Sequence, residues 1–232
     1  MEQILRRGLS QWDLNPDTIP LLQDYARRLL EKNQVMNLTA ITEPAEVAQR
    51  HLLDSAAVLR YFPLRGKQVV DVGTGAGLPG MVLRILEPDF DLTLLDSLGK
   101  RIHWLQETCE QMALGRVECV HARAEEFAAT HREQYDVAVS RAVAQLNVLC
   151  ELALPLVKNG GVFLAMKARD CDEEIARAKG AVGQLGGTVE RCVDYTIPGT
   201  DLCHRIVVIR KVRPTPPAFP RPFAKIKKSP LK

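Results

Sequence analysis

The spacing of apolar positions changes partway along the chain, and that change divides it. Before residue 60 the spacing is helical. Leu21, Leu22, Tyr25, Leu29 and Leu30 fall on one face, with Arg27, Arg28, Glu31 and Lys32 on the other. Asn37-Leu38-Thr39 interrupts the pattern. A second helical stretch follows Thr42 and Pro44 and carries Val47, His51, Leu52, Val58 and Leu59. From Gly66 onward, short apolar runs alternate with helical ones. Strands are predicted over 68–72, 91–95, 117–121, 135–140 and 161–167. Helices are predicted over 78–86, 100–113, 125–131, 145–156 and 170–183. Two further β-type runs, 189–197 and 205–212, are joined by too few residues for a crossover helix, so they are expected as an antiparallel pair.

Strand-helix alternation predicts an α/β fold, a mostly parallel, doubly wound sheet with helices on both faces. The expected organisation is a helical preface over 1–65 packed on the core, a sheet domain over 66–212, and a tail over 213–232. The tail reads RPTPPAFPRPFAKIKKSPLK. Its prolines and basic residues predict an extended, mobile segment.

Composition adds few constraints. The chain of 232 residues is 46% hydrophobic and 25% charged, enough for a sizeable core. No apolar run is long enough to span a bilayer, and the start lacks the apolar stretch of a signal peptide, so a cytoplasmic protein is expected. Six scattered cysteines without a C-x-x-C pair predict reduced, mostly buried thiols and neither metal nor disulfides. Charge is more telling. Of a net +3, the residues from Arg205 onward supply nine basic groups and no acidic one, so the first 204 residues carry 22 basic and 28 acidic groups. A basic tail on an acidic body fits contact with a polyanion, and equally a solvated tail.

The chemistry concentrates in VVDVGTGAGLPG, residues 69–80. Gly75 to Gly80 fits the G-x-G-x-x-G turn of a dinucleotide site, and Asp71 with Gly73, Gly75 and Gly77 fits the turn of an S-adenosylmethionine site. Glycines between a strand and a helix let backbone approach a ligand closely. Asp96, in TLLDS, lies where an acidic residue binds ribose hydroxyls in either case. Three features favour S-adenosylmethionine. Asp71 would repel a pyrophosphate but attract an ammonium or sulfonium. The terminal antiparallel pair suits a methyltransferase sheet. No hydride-transfer site is evident around the histidines.

The chain resembles the family of glucose-inhibited division protein B, or ribosomal RNA small-subunit methyltransferase G. The resemblance spans about 25–211. It rests on Asn37-Leu38-Thr39, RHLLDS (50–55), DVGTGAGLPG (71–80), LLDSLGKR (94–101), RAEEF (123–127), VSRA (139–142), MK (166–167) and HRIVVIRK (204–211). It implies a Rossmann-like S-adenosylmethionine-dependent fold and methylation of guanine N7 in a conserved loop of 16S ribosomal RNA. The implied partner is that RNA, within the 30S subunit or an assembly intermediate, met by a monomer with no membrane. It also puts Gly73 and Leu78 against the cofactor, Ala124 and Glu125 beside the adenine, and Arg141 near the site. Alternatives are a methyltransferase with another substrate, a non-catalytic RNA-binding assembly factor, and a dehydrogenase.

The cofactor contacts expected are thus Asp71, Gly73, Gly75, Leu78, Asp96, Ser97, Ala124, Glu125 and Arg141. N7 carries a lone pair and no proton, so in-line methyl transfer needs alignment and electrostatics but no general base. Arg141 and Lys167 are expected to position the RNA or bind guanine O6, with Arg123 assisting or forming an ion pair with Glu125 or Glu126. Lys100 and Arg101 open a helix, a poor place for cations unless an anion arrives. His51 and Asp54 share a helical face and are expected either to hold the preface to the sheet or to line the site. Asn37 reads as a helix stop or a substrate contact, and Trp12 and Trp104 as packing residues.

Overall fold

The computed structural model describes residues 1–141 and 143–232; Ala142, the end of the VSRA motif, lies outside the described residues. Three helical stretches precede the first strand. They are α1 (Glu2–Gln11), α2 (Ile19–Met36), and a continuous run formed by α3 (Pro44–Glu46), a π-helical segment (Val47–Leu53) and α4 (Asp54–Tyr61). Pro20 lies in the first turn of α2, where its missing N–H costs nothing. Asn37 ends that helix in the left-handed region at φ 51°, so it is a helix stop. The Asn33 amide then donates to the Thr39 carbonyl and accepts from the Thr39 N–H, fixing the turn.

The sheet follows as predicted. Its strands are β1 (Gln68–Val72), β2 (Asp91–Asp96), β3 (Val117–His121), β4 (Tyr135–Arg141), β5 (Val157–Ala168), β6 (Gly187–Thr196) and β7 (Cys203–Lys211). Between them lie α5 (Gly80–Leu86), α6 (Gly99–Gln111), α7 (Ala124–Thr130), α8 (Leu146–Ala153) and α9 (Asp172–Gln184). The strand order is β3-β2-β1-β4-β5-β7-β6, with β7 antiparallel to both its neighbours. The central strands β1, β2 and β4 are mostly buried on both faces, as the middle of a parallel sheet requires. β5 starts earlier than expected. Its pairing with β4 slips between Tyr135 and Val137, so Lys158–Gly161 bulges and the strand resumes at Val162.

Side-chain parity sorts the sheet into two cores. Val69, Leu94, Val139, Leu164 and Val208 face the preface, α5 and α6. Val70, Leu95, Ala138, Phe163 and Val207 face α7, α8 and α9. Trp12 and Trp104 are buried packing residues. Cys109, Cys150 and Cys171 are buried, Cys119 is half-buried, and Cys192 and Cys203 are exposed on the β6/β7 edge. Among the described residues no helix is long and apolar enough to cross a membrane.

The expectation of a mobile tail is corrected. Residues 213–232 pack along the second core and include a short helix, α10 (Phe223–Lys228), with Ile226 fully buried. Prolines hold the segment extended, and its backbone groups find partners from the body. The Arg132 guanidinium donates to the carbonyls of Phe219 at 2.8 Å and Pro216 at 3.0 Å. The Thr215 N–H donates to Glu133 at 2.8 Å, and Asn147 donates to the Leu231 carbonyl at 2.7 Å.

Candidate active site

Strand order reverses direction between β1 and β4, and open α/β sheets bind ligands outside the carboxyl ends of strands at such a point. The loops after β1 to β4 converge there around a cavity of about 490 Å³, a volume usual for a small-molecule site. Gly73, Gly75 and Gly77 take φ values of 71°, 58° and 87°, which only glycine adopts without strain. The Gly73 and Thr74 N–H groups donate back to the Leu95 carbonyl, and Tyr25 of α2 donates its buried hydroxyl to the Ala76 carbonyl. The preface therefore braces the glycine turn directly.

At Gly77 a Cβ would lie 2.5 Å from Met81, 2.8 Å from Leu105 and 3.0 Å from the Tyr25 hydroxyl. Gly77→Ala combines left-handed strain with overpacking and is expected to lower stability by about 2–3 kcal/mol, read from urea unfolding.

Asp96 joins two of the loops. One carboxylate oxygen accepts from the Gly75 N–H at 2.9 Å and the other from the Leu98 N–H at 2.8 Å. A carboxylate has about four acceptor positions, so capacity remains on both oxygens for a diol. The Arg101 guanidinium lies 3.8 Å from the same carboxylate and also faces the cavity. This neighbour gives the cation at the start of α6 a local partner.

The structure brings most of the sequence-derived candidates to one wall. Gly73, Gly75, Leu78, Asp96, Ser97, Ala124, Glu125, Arg123 and Arg141 all line the cavity. Arg123 stands 3.9 Å from Glu125 and places its guanidinium over the Phe223 ring, 5.4 Å from the centroid. Leu38, Thr39 and His51 add a wall from the preface. The His51 Nδ1–H faces the Arg50 carbonyl at 3.2 Å, so Nε2 accepts from the Thr39 hydroxyl at 2.7 Å. Burial and the Arg141 charge push His51 down to about 4, leaving it neutral near pH 7.

Two candidates are not in that wall, Lys167 because of strand parity and Asp71 because it is buried beneath the loop. Arg141 pairs with Met166 across β4 and β5, so Lys167 points to the opposite face. There its ammonium donates to the Ala144 carbonyl at 2.6 Å and to Glu174 of α9 at 2.7 Å. Lys167 thus ties the β4–α8 loop to α9, and its expected role against the RNA is withdrawn. Asp71 lies under α5, fully buried. It accepts from the Thr74 hydroxyl at 2.8 Å and the Gly80 N–H at 2.9 Å, and so shapes the turn from beneath. Burial raises it to about 6, against the pull of those two bonds. The expected contact with a cofactor cation, direct or through water, thus finds Asp71 beneath the loop and not in the cavity lining.

Asp54, Tyr195 and His204 form a constellation that sequence reasoning missed as a unit. Asp54 is buried at 2% exposure. One of its oxygens accepts from Tyr195 at 2.8 Å and from His204 Nδ1 at 2.7 Å, and the other accepts from Arg141 at 2.8 Å. Arg141 donates further to the Arg50 carbonyl at 3.2 Å. The preface, β4, β6 and β7 therefore meet at one carboxylate, which aims Arg141 along the cavity wall. Phe223 was also missed; its only sequence signal is the apolar spacing of Phe219, Phe223 and Ile226 in the tail.

A family model described as rRNA small subunit methyltransferase G matches residues 18–199. A ribosomal RNA small subunit methyltransferase G of Clostridium botulinum (strain ATCC 19397 / Type A) is 42% identical over 223 residues, covering 95% of this chain and 93% of the relative. That of Alkaliphilus oremlandii is 44% identical over 238 residues, covering 100% and 99%. Among solved structures, M. jannaschii TYW2 in complex with AdoMet matches with a TM-score of 0.55 at 15% identity, over 68% of this chain and 74% of that one. A SAM dependent methyltransferase from Aquifex aeolicus matches with a TM-score of 0.51 at 18% identity, over 72% and 93%. At such identities the structural likeness is one of fold. The near full-length relatives and the family model agree, and this chain belongs to the rRNA small subunit methyltransferase G family.

Proposed function

We propose that this protein uses S-adenosylmethionine to methylate N7 of a guanine in a conserved loop of 16S ribosomal RNA, acting as a cytoplasmic monomer on the 30S subunit or an assembly intermediate. The observation that carries the reading is Asp96, held by the Gly75 and Leu98 N–H groups at the edge of the cavity with acceptor capacity to spare. That donor set fits the cofactor. Asp96 takes the ribose diol, the glycine turn admits the chain of the cofactor, and Ala124 and Glu125 meet the base.

The bound cofactor supplies an electrophilic methyl on sulfur. Guanine N7 would accept that methyl through its lone pair without losing a proton, so the residues of this chain would have to align the two groups and supply no general base. The cavity is furnished accordingly. Its histidine, His51, is neutral with Nε2 engaged by the Thr39 hydroxyl, so that ring is not a free base toward the ligand. In this reading Arg141, held by Asp54, donates to guanine O6 and leaves N7 free; the Asp54 bond supports it by fixing the guanidinium. Alignment of this kind supplies about 7 kcal/mol or more of barrier reduction.

The test is methyl transfer from labelled S-adenosylmethionine to 30S subunits lacking the modification, with free ribosomal RNA alongside, and identification of the labelled nucleotide. Label at a guanine N7 of 16S RNA is expected. Label at another atom or in another RNA refutes the assignment of the target. No transfer by protein that binds the cofactor refutes the activity.

A further inference from the structure

Beyond Val212 the chain crosses the sheet face opposite the preface and returns to the cavity. Two anchors bracket the point of arrival. Arg221 donates through Nε and Nη2 to Glu151 of α8, at 2.7 and 2.6 Å, and that carboxylate is fully buried. Ile226, five residues later, is fully buried in the second core. Between them Phe223 is half-buried in the cavity wall, which Leu152, the residue after Glu151, also lines. The Arg123 guanidinium covers the ring, and Arg123 directly precedes Ala124 and Glu125. Among the described residues, Phe223 is the one Phe, Tyr or Trp that lines this cavity.

We propose that Phe223 is a base-binding residue: its ring, braced by Arg123 and fixed by the Arg221 and Ile226 anchors, is the aromatic wall against which the adenine of the nucleoside ligand packs. The C-terminal segment is then part of the ligand site, and not an appendage to it. The inference rests on the S-adenosylmethionine reading above. A flat π-surface next to a carboxylate matches a purine. The ring takes the apolar face of the base, and Glu125 accepts from its exocyclic amine. Two anchors also remove the ordering cost that a free tail would add to each binding event.

Truncation at Val212 strands the Glu151 carboxylate in the core and risks misfolding, so single substitutions provide the test. S-adenosylhomocysteine and 5′-methylthioadenosine are titrated calorimetrically into the full chain, Phe223→Ala and Phe223→Trp. Phe223→Ala is expected to weaken both ligands by the same factor, about tenfold, and Phe223→Trp to keep native affinity. A Kd for Phe223→Ala within twofold of native overturns the proposal, as does a lower melting temperature of the unliganded protein with no change in Kd. A loss confined to S-adenosylhomocysteine also overturns it, because the contact would then lie with the amino-acid half. If the native chain binds neither ligand, the cofactor reading itself fails, and that result is distinct from all the others.

Discussion

Asp54→Asn is expected to lower folding stability by about 3–5 kcal/mol and methyl transfer by about 100-fold. Three donors converge on this side chain, from Tyr195, His204 and Arg141, and both oxygens accept. Asparagine offers one oxygen and turns an N–H₂ toward the donors on the other side, leaving Arg141 half-buried beside an N–H instead of an anion. Urea unfolding at neutral pH reads the stability term. The rate term follows because Arg141 loses the contact that aims it along the cavity, and a displacement of an ångström costs rate steeply when catalysis is mostly alignment. Unchanged turnover would remove Arg141 from the mechanism. The same variant carries a pH signature. Burial alone would raise the Asp54 carboxyl, but the His204 hydrogen bond and the Arg141 charge outweigh it and hold it below its ordinary 3.8. A depressed carboxyl stabilises fully above its unfolded pKa and loses that contribution as pH falls through the folded one. The Asp54 contribution to the stability gap between native protein and Asp54→Asn therefore narrows in acid below about pH 4.

The sheet was legible because its signals are local. Apolar runs of strand length, glycine turns and acidic strand ends each lie within a dozen residues, and they placed β1 and β3 at their observed bounds. Most of the cavity wall was legible for the same reason, since Gly73, Asp96, Ala124 and Arg141 each end a strand or open the next turn. Two kinds of information were not. One is parity. Lys167 and Arg141 are both cations expected against the RNA, yet the register Arg141↔Met166 sends Lys167 to the other face. The other is distance in sequence. Asp54 meets Tyr195 and His204 across 141 and 150 positions, and no local pattern announces that meeting. The tail combines both problems. Its composition reads as solvated, and composition does not reveal that a fully buried carboxylate on α8 awaits its arginine.

Arg221→Ala is expected to cost about 3–5 kcal/mol, well beyond the value of an exposed ion pair. Glu151 is fully buried, and Arg221 supplies all three of its bonds, from Nε, Nη2 and the backbone N–H at 2.9 Å. Removing the guanidinium leaves a carboxylate with one backbone donor inside an apolar core. The matching double variant, Glu151→Leu with Arg221→Met, removes both charges and is expected to recover most of the loss, because an apolar pair needs no desolvation of ions. Urea unfolding of the single and double variants gives the coupling. Trypsin supplies an independent readout. Lys225, Lys227 and Lys228 are exposed on α10, and cleavage there is set by how often the segment leaves the body. Arg221→Ala should be cut faster than native protein, and the double variant should be protected again. A segment that stayed protected in Arg221→Ala would shift the anchoring to Ile226 and to the Arg132 contacts with the Pro216 and Phe219 carbonyls. In that case the ion pair would stabilise α8 without holding the tail. Charge neutralisation and tail order, joined in one side chain here, would then be separate properties of the fold.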